Sequence, residues 1–541
     1  MSLHGPAPRA ERRARGGPGA RGLRVWRRDA AALALLWLVV TGVALLWNLL
    51  DTRPPHWDRA NHLLHSLVYL DFLRPDRIGE WLLAYAYYPP LVYWVSDVAY
   101  QLLGTTDAWV AVLSQSVFLA VLILATYAMG RAVAGPAAGL LAPLFVATTP
   151  MISSGSRDYM LDAPLAAMGA AALALLMRSE HLTRLRPTLA FGLVCGLGML
   201  TKWTFVFALA VPAMVALAIA ARRAVRERRW RTLLPAVGGL ATAFAVAGPW
   251  YLLNRAALIR DAGLLSGCGG CGWYAQVEGD PPLLTLRALL WYAWDLLDLQ
   301  LYLVPFLFFA IGLVVVLRTP TLRRRAVYPL VSVAGIYVVQ TMLVSKDPRY
   351  SLTIVPAVAV LATAWIPRLT ARRRRAVVTG LAAYCAGTVF AMTFGVPVLP
   401  TAIDVSLPRS AILSELPTFT PAGDFVPFRG ARLWSQQGYP LGPFSTDRWH
   451  QEELLQITAA DGGRPALWFQ GPPIDTIWFN DLALRYFAKR YGVELVGDLA
   501  ATDVAAIRSF GGEPIQPLLG FHIQRSFTLP DGTALRIYRR D

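Results

Sequence analysis

Four separate stretches of this chain carry ionisable residues beside long apolar runs, and their types suit acid–base and phosphate chemistry. HWDRANHLLH, residues 56–65, holds Asp58, Arg59, His62 and His65. SRDYMLDAPL, residues 156–165, holds Arg157, Asp158 and Asp162. GLGMLTK ends on Lys202, and SKDPRY, residues 345–350, holds Lys346, Asp347, Arg349 and Tyr350. Charges at membrane depth are costly and mark function more often than not. A carboxylate at the mouth of such a site can take the proton of an incoming hydroxyl as a general base. Arginine grips a phosphate with a fork of donors and lysine with a point charge. Together they suit displacement of a phosphate leaving group by an alcohol, because fixed cations stabilise the charge that grows on the phosphate as its bond breaks. The sequence has no P-loop or Rossmann fingerprint, and a lipid-linked phosphate arriving through the bilayer needs none.

The elements that must gather these residues are membrane helices. The chain has 541 residues, 55% of them hydrophobic, with a mean hydropathy of +0.44. Its apolar runs have roughly the 17–25 residues that span a bilayer core. The first covers Ala30–Leu50. Others fall near 108–130, 133–150, 161–177, 187–202, 204–221, 233–253, 301–317, 326–344, 351–367 and 376–398, about eleven crossings with soft boundaries. The Arg-rich start and the long, late first run are not those of a cleavable signal peptide. The net charge of +17 lies in clusters between runs: Arg9–Arg28, Arg178–Arg186, Arg222–Arg231, Arg318–Arg325 and Arg368–Arg375. That is the positive-inside pattern rather than a nucleic-acid footprint. With these crossings every cluster is cytoplasmic, and all four polar stretches face the other side, where they can line one cavity.

The expected fold is a mainly α, polytopic transmembrane bundle. A basic cytoplasmic tail, 1–28, precedes a transmembrane domain, 29–398. In its first outer loop, 51–107, segments 57–73 and 80–104 read as interfacial helices. Residues 399–541 read as a small extracytoplasmic α/β domain, with strands in RPALWFQG and VELVG, an amphipathic helix between them, and a hairpin around Pro530-Asp531-Gly532. Cys268 and Cys271, in SGCGGCGW, suit a disulfide in an outer loop. Plainer roles compete at each polar position. Asp58 can cap the helix that follows it, and Asp158 and Asp162 the helix at 161–177. Lys202, Lys346 and Arg349 can reach the headgroups. Asp58, His62 and His65 share a helical face in a spacing that zinc tolerates, although packing or hydrogen bonding is the commoner role for such histidines. A divalent metal is therefore the lesser alternative to a metal-free site.

These stretches resemble the C-type glycosyltransferases of the protein O-mannosyltransferase and aminoarabinose-transferase group, glycosyltransferase family 39 and its relatives. Trp57-Asp58-Arg59 is similar to the acidic motif after the first membrane helix, and Tyr88-Pro89-Pro90-Leu91 to the "PPL" stretch. Ser156–Leu165 resembles the "R–LLD–PL" motif, Gly196–Lys202 the "GL–LTK" motif, and Pro348-Arg349-Tyr350 the "PRY" motif, with Pro249-Trp250-Tyr251 a weaker match. The likeness spans roughly residues 30–400. It implies an inverting transfer of a sugar from a polyprenyl-phosphate donor to an acceptor hydroxyl outside the cytoplasm, on protein, lipid or polysaccharide. Asp58 would be the base, with Asp162 and Asp158 beside it. Lys202, Arg349, Lys346, Arg59 and Tyr350 would hold the donor phosphate, and His62, His65, Tyr88 and Arg157 would contact donor or acceptor. Relatives often carry Asp-Glu where this chain has Asp58-Arg59, and some carry Glu-Lys where it has Tyr87-Tyr88. Their phosphate-binding lysine and metal-binding glutamate thus have no counterpart here, which leaves the cationic role to Arg59, Lys202, Lys346 and Arg349. A transporter or flippase for an anionic lipid or solute is the rival reading.

Overall fold

The computed structural model describes residues 20–541 apart from 86, 266–279, 407–416, 420–424, 428–429, 440, 461–464, 472–476 and 511–516. Cys268 and Cys271 lie outside the described residues.

The chain is a multi-pass membrane protein, mostly helical, with a small sheet domain at its C-terminal end. Among the described residues, six helices are long and apolar enough to cross a bilayer on their own: Arg27–Leu50, Ala108–Ala134, Phe205–Glu227, Trp230–Leu253, Pro348–Arg368 and Ala371–Phe394. Shorter apolar helices at Pro136–Thr148, Leu185–Met199, Leu303–Arg318 and Val327–Thr341, and the helix Asp162–Arg178, occupy the other positions expected to cross. The bundle is packed around Val355–Thr363, every residue of which is buried, and Asp162–Arg178, an alanine-rich helix with twelve buried residues. Alanine combines the best helix propensity with a small side chain, so backbones approach closely. Glycine takes this further where Leu185–Met199 crosses Leu234–Leu253. A methyl group on Gly192 would lie 2.0 Å from the Gly239 carbonyl oxygen.

Trp57–Phe72 is a helix, as its mixed pattern predicts, and begins after His56, whose side chain makes no capping bond. Asp58 therefore sits in the first turn, where a negative charge suits the helix dipole, with its side chain available to distant partners. The second expected segment, 80–104, is broken in two: a short helix, Ile78–Leu83, precedes the longer Leu91–Leu103, with Pro89 and Pro90 between them. The longer helix buries Tyr93, Ser96, Asp97 and Tyr100, and ends on Gly104 in the left-handed conformation (φ 67°) that glycine favours.

In the tail, strands β1 (Ala402–Ser406) and β4 (Gly430–Ser435) pair antiparallel, as do β2 (Pro417–Phe419) and β3 (Phe425–Pro427). A five-stranded sheet follows: β5 (Ala466–Gln470), β6 (Glu494–Val496), β7 (Val504–Ser509), β8 (Phe521–Thr528) and β9 (Ala534–Arg540), in the order β6-β5-β7-β9-β8. β5 is parallel to β6 and β7, and β9 antiparallel to β7 and β8. The expected strand, helix, strand and hairpin are all present; β1–β4, β7 and the helix Gln451–Ala459 complete the domain. Helix Asp481–Tyr491 is capped by Asn480 and packs on Trp57–Phe72. There Lys489 pairs with Asp71, and the Asn480 amide donates to the Pro55 carbonyl at 3.2 Å.

Between β4 and the five-stranded sheet, residues 436–439 and 441–447 run as a strap across one end of the bundle. The Trp47 indole donates to the Gly442 carbonyl at 3.1 Å and Arg53 to the Pro443 carbonyl at 2.9 Å. The Thr52 amide donates to the Ser445 carbonyl at 2.9 Å, and the Ser445 amide to Asp51 at 2.8 Å. The strap thus closes on the end of the first membrane helix.

A Gly192→Val substitution should push Leu185–Met199 away from Leu234–Leu253 and destabilise the protein by about 1–3 kcal/mol, the usual effect of overpacking. Gly380→Ala, inside the helix Ala371–Phe394 where an added methyl meets nothing within 4 Å, should be neutral to stabilising by up to about 1 kcal/mol. Thermal unfolding of both purified variants in one detergent checks the pair.

Candidate active site

The strap end of the bundle brings residues from all four polar stretches into one pocket. Asp58 Oδ2 lies 2.5 Å from Arg349 Nη1. Lys202 Nζ lies 2.8 Å from Asp162 Oδ1, 5.6 Å from the centre of the Tyr88 ring and 5.9 Å from that of Tyr350. The two ion pairs are neighbours: the fields of Asp58, Asp162 and Arg349 all reach Tyr88, and that of Arg349 reaches Lys202.

Local structure explains these placements. Lys202 follows the end of Leu185–Met199, where the chain turns before Phe205. The Leu91 amide donates to the Leu200 carbonyl at 2.9 Å and ties the PPL stretch to this turn. Just upstream of PPL, Tyr87 adopts a positive φ of 64°, which a bulky residue rarely does. Arg349 belongs to a 3-10 turn, Pro348–Ile354, that starts with proline and is capped by Asp347. A buried network holds that turn from below. The Gln300 amide donates to the Pro348 carbonyl at 2.7 Å and to Ser351 Oγ at 3.0 Å, and Ser351 Oγ donates to Asp295 at 2.5 Å. Residues 296–301 form a π-helical turn, a feature that often accompanies functional sites.

His62 stands beside this pocket, its Nδ1 2.9 Å from the Tyr93 hydroxyl and its ring 5.2 Å from that of Tyr88. His65 is edge-on to Tyr93, and its Nδ1 makes no hydrogen bond. Among the described residues, no three His, Cys, Asp or Glu side chains are grouped to hold a metal.

A second cluster adjoins the first. Asp158 is fully buried; its Oδ2 lies 2.9 Å from His56 Nε2, and its Oδ1 3.9 Å from Arg59 Nε. Arg59 donates to Asn48 Oδ1 at 2.5 Å. The remaining two candidates are engaged with backbone. Arg157, fully buried, donates to the carbonyls of Met392 at 2.8 Å and Leu441 at 3.0 Å and lies over the Trp47 ring. Lys346 Nζ donates to the carbonyls of Gln340, Thr341 and Leu343 at 3.2, 2.7 and 2.5 Å, closing the C-terminal end of Val327–Thr341. Arg157 fastens the strap and Lys346 a helix end.

Several contributors have weak signals in the sequence. His56 lies just before the acidic motif. Tyr93 sits in an aromatic run with nothing to single it out. Tyr439, whose hydroxyl is near enough to act on the Arg349 charge, comes from the strap, which carries no motif. Asp347 was the most legible, because an aspartate before a proline commonly opens a turn.

The electrostatics follow from burial and pairing. Burial pushes the Asp58 carboxyl up, but the Arg349 charge and hydrogen bond outweigh it and hold the group well below the usual carboxylate range. Asp58 is thus ionised at neutral pH and able to accept a proton. Burial lowers His62 to about 3 and His65 to about 4, so both are neutral.

The sequence pattern of the family described as dolichyl-phosphate-mannose-protein mannosyltransferase matches residues 87–252, which include Tyr88, Asp158, Asp162 and Lys202. The resemblance to that group therefore holds over this part of the chain. No curated protein matches the chain by sequence. Among solved structures, it is similar to ArnT from Cupriavidus metallidurans in the apo state and bound to undecaprenyl phosphate. Both are 21% identical with a TM-score of 0.48, and the likeness covers 69% of this chain and 65% of theirs. It is also similar to the archaeal oligosaccharyltransferase AglB from Archaeoglobus fulgidus in complex with an inhibitory peptide and a dolichol phosphate, at 12% identity and a TM-score of 0.42, over 68% of this chain and 55% of that one.

Histidines that are neutral when folded take up protons on unfolding near their ordinary pKa of about 6.5. The unfolded chain then binds more protons, so stability falls as pH drops from about 6.5 towards the folded values. His62→Asn should flatten the pH dependence of the melting temperature between pH 6.5 and 4. An unaltered slope would show that His62 does not contribute to it.

Proposed function

We propose that this chain is an inverting glycosyltransferase that moves a sugar from a polyprenyl-phosphate donor to an acceptor hydroxyl outside the cytoplasm. One observation carries the reading: the Asp58 carboxyl is in direct contact with Arg349, beside the Lys202–Asp162 pair. A base thus adjoins cations that suit a phosphate, at the end of a membrane bundle. The family pattern over 87–252 supports a lipid-phosphate donor.

The acceptor hydroxyl gives its proton to Asp58 while its oxygen attacks the anomeric carbon. The bond from that carbon to the phosphate oxygen breaks, and its electron pair leaves with the phosphate, whose charge Arg349 and Lys202 stabilise. Attack opposite the leaving group inverts the anomeric centre. Asp162 holds Lys202 in place, and Tyr88 and Tyr350 offer aromatic faces to the sugar. His62 borders the same space. Asp158 and Arg59 support the wall behind Asp58, with Arg157 fastening the strap above it.

Orientation follows from charge. Arg368 donates to Thr319 at 2.9 Å, which brings two Arg clusters together, in the short helix Pro320–Arg325 and at the start of Ala371–Phe394, at the ends of their helices opposite the strap. By the positive-inside rule that end is cytoplasmic. On this reading the pocket and the domain 399–541 face outward and 29–398 forms the membrane domain; the expected cytoplasmic tail, 1–28, lies mostly outside the described residues.

Purified full-length protein, supplied with labelled polyprenyl-phosphate sugars and envelope acceptors, should transfer label. Asp58→Asn should reduce transfer by at least about 100-fold, the usual contribution of a general base. Turnover retained in that variant would remove Asp58 as the base. Movement of the lipid or solute across vesicles without covalent transfer would favour the transporter instead.

A further inference from the structure

Arg349 is shared by two carboxylates, and the two contacts differ in kind. Asp347 takes one edge of the guanidinium, with Oδ1 3.1 Å and Oδ2 3.0 Å from Nε, and Oδ2 2.6 Å from Nη2. It also accepts the Arg349 amide at 2.7 Å, so the same side chain fixes both the backbone turn and the plane of the guanidinium. Its side chain is only 15% exposed. Asp58 holds the other edge by one contact, from Nη1 to Oδ2 at 2.5 Å, comes from a distant part of the chain, and is 50% exposed. One edge is a multiple, local, largely buried clamp; the other is a single, half-exposed, exchangeable contact.

The remaining pocket cation, Lys202, is already matched by Asp162 at 2.8 Å. Among the described residues, an anionic phosphate entering this pocket meets no cation without an acid on it, so it must take a carboxylate's place. The geometry says which one.

We propose that the donor phosphate displaces Asp58 from Nη1 of Arg349 while Asp347 keeps the guanidinium oriented, so that seating the donor is what releases the Asp58 carboxylate to receive the acceptor hydroxyl. The proposal rests on the transferase reading above and adds an order to it, donor first and acceptor second. Asp58 is then a competitor of the donor as well as the base. A pocket with no donor keeps its base engaged, which protects a bound acceptor or water from unproductive activation. Asp347 is a positioning residue that acts through Arg349.

Equilibrium binding of undecaprenyl phosphate to the full-length protein, with neither sugar nor acceptor, tests this without relying on turnover. Removing the competing charge in Asp58→Asn should tighten binding roughly fivefold or more, the scale of a partly exposed charge pair. Asp347→Asn should weaken it about tenfold and raise the donor KM with little change in kcat, at an unchanged melting temperature. Binding that is unchanged or weaker in Asp58→Asn overturns the exchange, and binding that is unchanged in Asp347→Asn overturns the clamp. If Asp347→Asn does not fold, the Asp58→Asn measurement decides alone. Failure of the wild-type protein to bind undecaprenyl phosphate counts against the transferase reading itself, a result distinct from either.

Discussion

The pocket depends on charge neutrality where water is scarce. Desolvating an ion is expensive, and a buried cation persists only when acids or carbonyl oxygens surround it. Arg349 lies between Asp58 and Asp347, and Lys202 lies against Asp162. The Asp58–Arg349 and Lys202–Asp162 pairs each join residues from different elements, so satisfying those charges also fixes where the elements meet. Helix Trp57–Phe72, the start of Asp162–Arg178, the turn after Leu185–Met199 and the Pro348–Ile354 turn are thereby held around one space. The electrostatics that make the site reactive are also what assemble it.

The same need explains why basic residues alike in sequence differ in role. Arg157 and Lys346 sit in motifs as suggestive as those of Lys202 and Arg349, yet each is aimed at backbone carbonyls. A helix end leaves its last carbonyls without partners, and a nearby lysine answers that as readily as it would answer a phosphate. Lys346 follows Val327–Thr341 by only a few residues, so the local demand claims it. Lys202 follows a helix too, but an aspartate from a neighbouring helix reaches it first. Which demand prevails depends on what the third dimension supplies.

Much of this was legible in the chain. The apolar runs gave the helices, because a bilayer fixes both their length and their composition. The helix at 57–72 followed from its mixed face, and the strands of the tail from alternation around Pro530-Asp531-Gly532. Asp58, Asp162, Lys202, Arg349 and Tyr350 were candidates from type and position, and Tyr88 from the family resemblance, and they lie within one pocket. Other features left no such trace. Nothing in the spacing distinguishes Asp158, paired with His56, from Asp162, paired with Lys202, since both stand at the same helix start. The pairing depends on which neighbour the fold brings, as does the approach of Tyr439 from the strap. The division of Arg349 between a clamp and an exchangeable partner is equally invisible, because it requires two segments nearly 300 residues apart.

The strap imposes a schedule on biosynthesis. Residues 51–53, at the end of the first membrane helix, are bonded to residues 443–445. A nascent chain places the former early and the latter only after every membrane helix has been made. Until then the rim lacks one wall, and Arg157 lacks its Leu441 carbonyl. The pocket is therefore finished last, and a chain halted before residue 436 carries its acidic and basic residues without the enclosure that organises them.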